Sequence, residues 1–522
     1  MVVIGVDTLR TDAVGIHGAT RDTTPELDAW ASQFVVFDDA WAPAPRTVPS
    51  FRTAFTGTWP PRAAQAATLA ERLAAHGFRT VGFSANVHLV ARLGFTRGFA
   101  EWTHENGARA GAQVDRALAW LASHPDDDAF LFLHIMDPHT WYNAPEPWGS
   151  RFQQDPRPAD LPAVFERWRI VRMMTRPGWT AAHARWIRAA YDGEVAYVSA
   201  QLDRFLRATL ALAGDTLVVL HSDHGEEFWE HGGFEHNHTL YPELTRAALW
   251  IRPPGGWAGG PHRVAARASL ADIVPTVMEL VGAPVSDTDG ISLAPFLRED
   301  AGATAALAAR LDQRALPLGW LNFGTERWGS VSREGLYVLH TGSGQEERYD
   351  LTRDPRATRD LAQHTADDVR AAARVALAAA HGGRAPLAWR IPLGGSRDPV
   401  LVRFDGPVES VGVLDPEALR PVRANLEYGE APPRTAEDVA RVTLDAARTT
   451  LRIVPGRAPD GGVVVAVCAV ACPQLRDPRP EGATVAPFLV RGVDTPTATP
   501  GLGADLRGAL ESLGYVDNPG AK

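Results

Sequence analysis

The 522-residue sequence contains a single lysine, Lys522, at its very end, so no reaction scheme that needs an active-site lysine applies. Its two cysteines, Cys468 and Cys472, share one C-A-V-A-C stretch far from every other motif. That spacing admits a disulfide at a turn, but on one strand both face the same way and read as small apolar residues, with no zinc knuckle or redox pair. A basic stripe is missing too, and the formal net charge is −10, which argues against a nucleic-acid backbone as the partner. No window approaches the roughly 18 uninterrupted apolar residues of a membrane span. The first residues lack the charged-then-apolar layout of a signal peptide. The expected location is therefore cytoplasmic as written, or periplasmic or extracellular if a leader precedes this sequence. Neither internal repeats nor low-complexity tracts occur.

What is present is a globular composition, 45% hydrophobic and 22% charged, in a chain long enough for about two to four structural units. Over roughly the first 300 residues, short apolar β runs alternate with amphipathic stretches, the pattern of a layered α/β domain. Expected strands are Val2–Val6, Thr80–Phe83, Phe130–His134, Thr216–His221 and Ala247–Ile251, and expected helices are Thr68–His76, Ala110–His124 and Thr180–Leu212. The fold expected is α/β, a central, mostly parallel sheet between helices, with a smaller C-terminal α+β unit and an additional β-rich module. The expected divisions are 1–315, 316–385, 386–500 and 501–522. A hairpin through Tyr337–His340, a helix over Thr365–Ala380, β runs at Val400–Phe404, Thr449–Val454 and Gly462–Val470, and a closing helix at Ala504–Leu513 complete the reading.

In such folds functional residues gather at the carboxyl ends of strands. Asp7 directly follows the first apolar run. Asp223 and His224 follow another, and Gly225 permits the sharp exit after them; five of the 17 histidines fall between His221 and His238. A carboxylate and imidazole together suit Zn²⁺ or Mn²⁺ better than Ca²⁺ or Mg²⁺, which favour all-oxygen sets. Thr47 stands ahead of Pro49 at a helix start, placed to attack an ester, with Ser50 nearby and helix N–H donors for an anion. A third strand delivers His134, Asp137 and His139, and His236 and His238 follow the Asp-His pair. Histidines there suit holding the oxygens of a tetrahedral anion or protonating a leaving group.

With Thr24-Pro25-Glu26-Leu27-Asp28, Gly94-Phe95-Thr96-Arg97-Gly98-Phe99, Asp272-Ile273-Val274-Pro275-Thr276, Asp289-Gly290-Ile291-Ser292-Leu293 and the run from Glu347 to Pro355, these motifs resemble the sulfatase family of the alkaline phosphatase superfamily, from residue 2 to about 365. The stretch Leu510–Val516 resembles a tail common in bacterial members. The sequence departs from the family in several places. Thr47 stands where sulfatases carry the Cys or Ser matured to formylglycine, and threonine cannot give that aldehyde. Phe51 replaces the signature arginine, with Arg52 one place along. Thr8 replaces the second Asp of the opening pair, and Asn86 sits roughly where a sulfate-binding lysine is expected.

Members that use threonine at this place are phosphoethanolamine transferases, lipoteichoic acid synthases and nucleotide pyrophosphatase/phosphodiesterases. The resemblance to the single-metal members implies that Asp7, Thr47, Asp223 and His224 hold one divalent metal. It implies Thr47, His139 and His236 as the catalytic set, and Ser50, Arg52, Asn86 and His238 as substrate-binding. Arg10 and Arg46 are further sources of positive charge. The expectation is a hydrolase of phosphate mono- or diesters, small or glycan- or lipid-linked. Alternatives are a sulfuric ester hydrolase without formylglycine, a phosphotransferase to an alcohol, and a largely inactive binding protein. Specificity is expected from the tryptophan-containing segment Trp141–Arg176.

Overall fold

Val2–Val6 (β1) lies at the centre of the fold because it is apolar on both faces, as a strand covered from both sides must be. The computed structural model describes residues 1–162, 165, 167–174, 178–257, 262–298, 300–319, 327–340, 346–364 and the segments 387–392, 399–403, 410–414, 440–444, 450–455, 463–467 and 484–487. The other strands of the main sheet are Val35–Phe37 (β2), Arg79–Ser84 (β3), Glu101–His104 (β4), Ala129–Ile135 (β5), Val218–Ser222 (β6), Leu249–Arg252 (β7) and His262–Val264 (β8). Their spatial order is β8-β2-β7-β6-β1-β5-β3-β4. All neighbours run parallel except β7, which is antiparallel to both β6 and β2.

Successive side chains of a strand point to opposite faces, and the two cores follow that parity. Val2, Ile4 and Val6 join Leu131, Leu133, Val218 and Leu220 against the helices Ala110–Ser123 and Ala181–Leu212. Val3 joins Phe130, Phe132 and Val219 against Phe51, Phe55, Leu69, Leu73, Ile273 and Val277 on the other face. Each such side chain, fully buried, contributes about 1.5–3 kcal/mol. The result is a helix–sheet–helix sandwich whose parallel strands all end at one edge.

The expected strands and helices of this domain are present with ends shifted by one or two residues. The strands without a sequence signal, β2, β4 and β8, are three or four residues long, too short to show a period. The described residues group into two compact units, Met1–Arg314 and Ala315–Gly501. The second contains an antiparallel sheet of Leu316–Leu318, Arg327–Ser332, Gly335–His340 and Glu346–Tyr349. It also contains a four-stranded and a three-stranded antiparallel sheet between Leu387 and Pro487. The expected helices at 365–380 and 504–513, and both cysteines, lie outside the described residues.

Candidate metal centre and active site

β1 and β6 are adjacent and in register, Val6 opposite Ser222, so the next residue of each, Asp7 and Asp223, meet at the sheet edge. Both carboxylates are anchored by one oxygen only. Asp7 Oδ2 accepts the Asn86 amide at 2.7 Å and lies 3.3 Å from His134 Nε2. Asp223 Oδ1 accepts the backbone N–H of Thr8 at 3.2 Å and of His224 at 2.9 Å. His224 Nδ1 sits 2.9 Å from the Gly225 carbonyl, which can only accept, so Nδ1 carries the proton and Nε2 a lone pair. That Nε2 lies 3.3 Å from Asp223 Oδ2 and 3.9 Å from Asp7 Oδ1.

These three atoms, Asp7 Oδ1, Asp223 Oδ2 and His224 Nε2, are fully buried and have no hydrogen-bond partner. The three residues form a group able to hold a metal ion. Three proton-free lone pairs facing one another in a dry site are costly without a cation between them, so the residues fit a divalent metal. The electrostatics agree. Burial drives the Asp7 carboxyl upward, yet the His134 contact and the charges of His139 and His224 outweigh it and hold it below the usual range. Burial, with the charge of Asp7 added, lifts Asp223 well above that range. Burial and the neighbouring His236 bring His224 down to about 3, leaving it neutral and ready to ligate.

Thr47, nearly buried, is the first residue of the helix Thr47–Thr56 (α1), which no side chain caps. One turn later, Phe51 packs its ring on His134 at 5.3 Å and on His221 at 5.5 Å, beneath the ligand-bearing strand ends. It also fills the space that a Cβ on Gly5 would need. Pro45, two residues before Thr47, accepts the backbone N–H of Asn237 at 3.0 Å. The chain segment bearing His236 is thereby tied to the start of α1.

His236 stacks 4.6 Å from His224 and 5.1 Å from His139, measured between ring centroids. Its Nδ1 lies 2.7 Å from Glu226 Oε1. His139 Nδ1 lies 3.1 Å from the Thr140 carbonyl. The turn carrying His139 is stapled at both ends by one guanidinium. Arg109 donates to Asp137 at 2.8 Å, to Glu194 at 3.0 and 3.1 Å and to the Asn143 carbonyl at 2.7 Å.

The sequence-expected substrate-binding residues have other partners. Asn86 holds Asp7. Ser50 Oγ donates to the Ala44 carbonyl at 2.8 Å. Arg52 reaches the Leu93 carbonyl at 3.0 Å and lies over Phe95, on the far side of its helix from Phe51. His238 places Nδ1 2.9 Å from the His236 carbonyl and Nε2 2.8 Å from Glu227. Arg10 is buried against Asp12, Glu230 and the Glu226 carbonyl. Gly225 has no positive φ; glycine is needed there because a Cβ would collide with the Glu243 carbonyl. Glu226, Arg109, Glu194 and Tyr142 had no assigned role in the sequence reading, since their partners are distant in the chain.

A strand-end centre of this kind on a mostly parallel sheet defines a metal-dependent hydrolase of the alkaline phosphatase-like class. The family model described as Sulfatase matches residues 1–283. The chain belongs to the sulfatase family and is a hydrolase acting on sulfate or phosphate esters. It is 24% identical to a sulfatase of Formosa agariphila, over 68% of this chain and 81% of the relative. It is 23% identical to a delta 4,5-hexuronate-2-O-sulfatase of Bacteroides thetaiotaomicron, over 69% and 84%. Among solved structures, the phosphonate monoester hydrolase of Agrobacterium radiobacter has a similar fold, with TM-score 0.56 and 20% identity over 73% of this chain and 94% of that one. A 2-O GAG sulfatase has TM-score 0.56 and 21% identity, over 71% and 88%.

Proposed function

We propose that this protein cleaves phosphate esters through Thr47, using one divalent cation held by Asp7, Asp223 and His224, with Thr47 Oγ as a further ligand. The observation that carries the reading is the convergence of three unpartnered lone pairs at the strand ends beside the helix that Thr47 opens. The mixed nitrogen and oxygen donors favour Zn²⁺ or Mn²⁺ over Ca²⁺ or Mg²⁺. Against sulfate stand the threonine, which cannot become formylglycine, the apolar Phe51 in place of the signature arginine, and the lack of any lysine before Lys522.

A bound cation supplies Lewis acidity that brings the Thr47 hydroxyl pKa toward neutrality. Thr47 Oγ attacks phosphorus in line, and the P–O bond to the leaving group breaks. Asn86 and His134 hold Asp7 in its orientation. Asp223 is held by the amides of Thr8 and His224. His139 and His236 line the metal side and offset charge on the equatorial oxygens. Water, or an acceptor alcohol in a transferase, then resolves the phospho-threonine.

The relatives matched in sequence are named sulfatases, which favours a second reading, sulfuric ester hydrolysis by Thr47 without formylglycine. Metal content by mass spectrometry, paired with rates on p-nitrophenyl sulfate, p-nitrophenyl phosphate and bis-p-nitrophenyl phosphate, decides between them. Phosphoester turnover that exceeds sulfate turnover and vanishes in Thr47→Ala supports the first reading. Faster sulfate turnover supports the second.

A further inference from the structure

Glu226 is fully buried two residues after the metal ligand His224, and both of its oxygens are engaged. Oε1 lies 2.7 Å from His236 Nδ1, and Oε2 accepts the Tyr142 hydroxyl at 2.9 Å. Tyr142 is itself locked. It is 3% exposed, holds a left-handed backbone at φ 42°, and packs edge-on to Tyr191 at 5.7 Å and Phe234 at 6.5 Å. A bulky residue held in that region costs about 1–3 kcal/mol and persists only where the surroundings enforce it. The phenol is therefore a fixed donor, and Glu226 a fixed acceptor for one nitrogen of one imidazole.

The two histidines near the metal ligands are consequently unlike. His139 gives its Nδ1 proton to a neutral carbonyl, Thr140 O. His236 gives its Nδ1 proton to a buried carboxylate, which stabilises the ring when a second proton sits on Nε2. His238 is excluded from the part because an acceptor faces each of its nitrogens.

From this contrast we infer that Glu226 is a positioning residue, held by Tyr142, that makes His236 the proton donor to the leaving group. The inference rests on the ester-cleaving reading above. As the Thr47 Oγ–P bond forms, the leaving oxygen keeps the electron pair of the breaking P–O bond and takes the proton from His236 Nε2. The ring is left neutral, with Nδ1–H still on Glu226. When water resolves the phospho-threonine, one of its protons returns to Nε2.

The test compares wild type, Glu226→Gln and Tyr142→Phe on esters with good and poor leaving groups, p-nitrophenyl against phenyl, in both the phosphate-diester and sulfate series. Glu226→Gln is expected to lower kcat on phenyl esters by about tenfold to a hundredfold, with p-nitrophenyl esters nearly unaffected and metal content unchanged. Tyr142→Phe follows the same pattern more weakly and serves as the variant of record if the glutamine form folds poorly. An equal loss on both leaving groups, or no loss, overturns the assignment. If only sulfate esters turn over and the leaving-group pattern holds, the phosphoester reading fails while the Glu226 assignment stands. A readout independent of turnover is the imidazole NMR spectrum of the metal-free protein. A low-field Nδ1–H resonance that is lost in His236→Gln and moves upfield in Glu226→Gln upholds the pair. Its absence from the wild type overturns it.

Discussion

His224 Nε2 and Asp223 Oδ2 lie 3.3 Å apart, and neither has a hydrogen-bond partner. With Asp7 Oδ1 they form a buried, partner-free set of ligand atoms, which makes the metal-free state electrostatically costly. Chelation is therefore expected to lower Tm markedly, since a cation present at about a thousand times its Kd adds roughly 4 kcal/mol. Asp223→Asn removes one of two facing carboxylates. It should raise the Tm of the chelated protein while abolishing the response to metal. Differential scanning calorimetry with and without chelator checks both, and a chelator-independent wild type would sink the metal assignment.

Phe51 is fully buried and touches His134, His221, Phe55 and Phe132. Phe51→Ala should cost about 3–5 kcal/mol of stability. The same cavity loosens the floor under Asp7 and Asp223, so metal affinity should fall with it. Phe51→Leu should show a smaller loss of both. Denaturant melts and metal titrations measure the pair, and a stable Phe51→Ala protein would contradict the packing described.

Glu194 is buried, and its carboxyl is pushed up to about 8 by burial and the charge of Asp137, against the opposing pull of Arg109. The native state thus keeps a proton that the unfolded chain gives up near the ordinary carboxylate pKa. The stability this group contributes is complete below that pKa and is lost as pH rises toward 8, with a slope of up to about 1.4 kcal/mol per pH unit. Glu194→Gln keeps an acceptor for the Asn143 N–H but does not titrate. Its stability profile between pH 5 and about 8.5 should be flatter than that of the wild type by up to one proton. Identical slopes would contradict the shift.

His238 and Glu227 form a charge-assisted pair within the segment that carries His236. Burial raises Glu227, but its bond and charge interaction with His238 outweigh this and lower it overall. His238→Gln should cost about 1.5–3 kcal/mol of stability, with a smaller loss of kcat than His236→Gln. Calorimetry and steady-state rates on the two variants make the comparison, and a larger kcat loss in the His238 variant would return it to the substrate.

The centre was legible in the sequence wherever a long apolar strand delivers its ligand directly, as at Asp7 and at Asp223-His224. The parallel register then does the rest. Residues whose partners lie far off in the chain were not legible. Asn86 has the right position in the chain, but only the fold shows its amide holding Asp7. Arg52 and Phe51 are neighbours in sequence, and the helix sends one to the Leu93 carbonyl and the other under the metal ligands. Glu226 follows the Asp-His pair closely, yet its role depends on Tyr142, 84 residues earlier.

The central claim is that Thr47 forms a covalent phosphoryl intermediate at a single-metal site. Rapid quenching of the zinc- or manganese-loaded protein with bis-p-nitrophenyl phosphate, followed by peptide mass mapping, tests it directly. A phosphoryl-ester adduct on the peptide containing Thr47, absent from Thr47→Ala together with turnover, is the result expected. Undiminished turnover in Thr47→Ala, or turnover with no adduct on that peptide, would contradict the account.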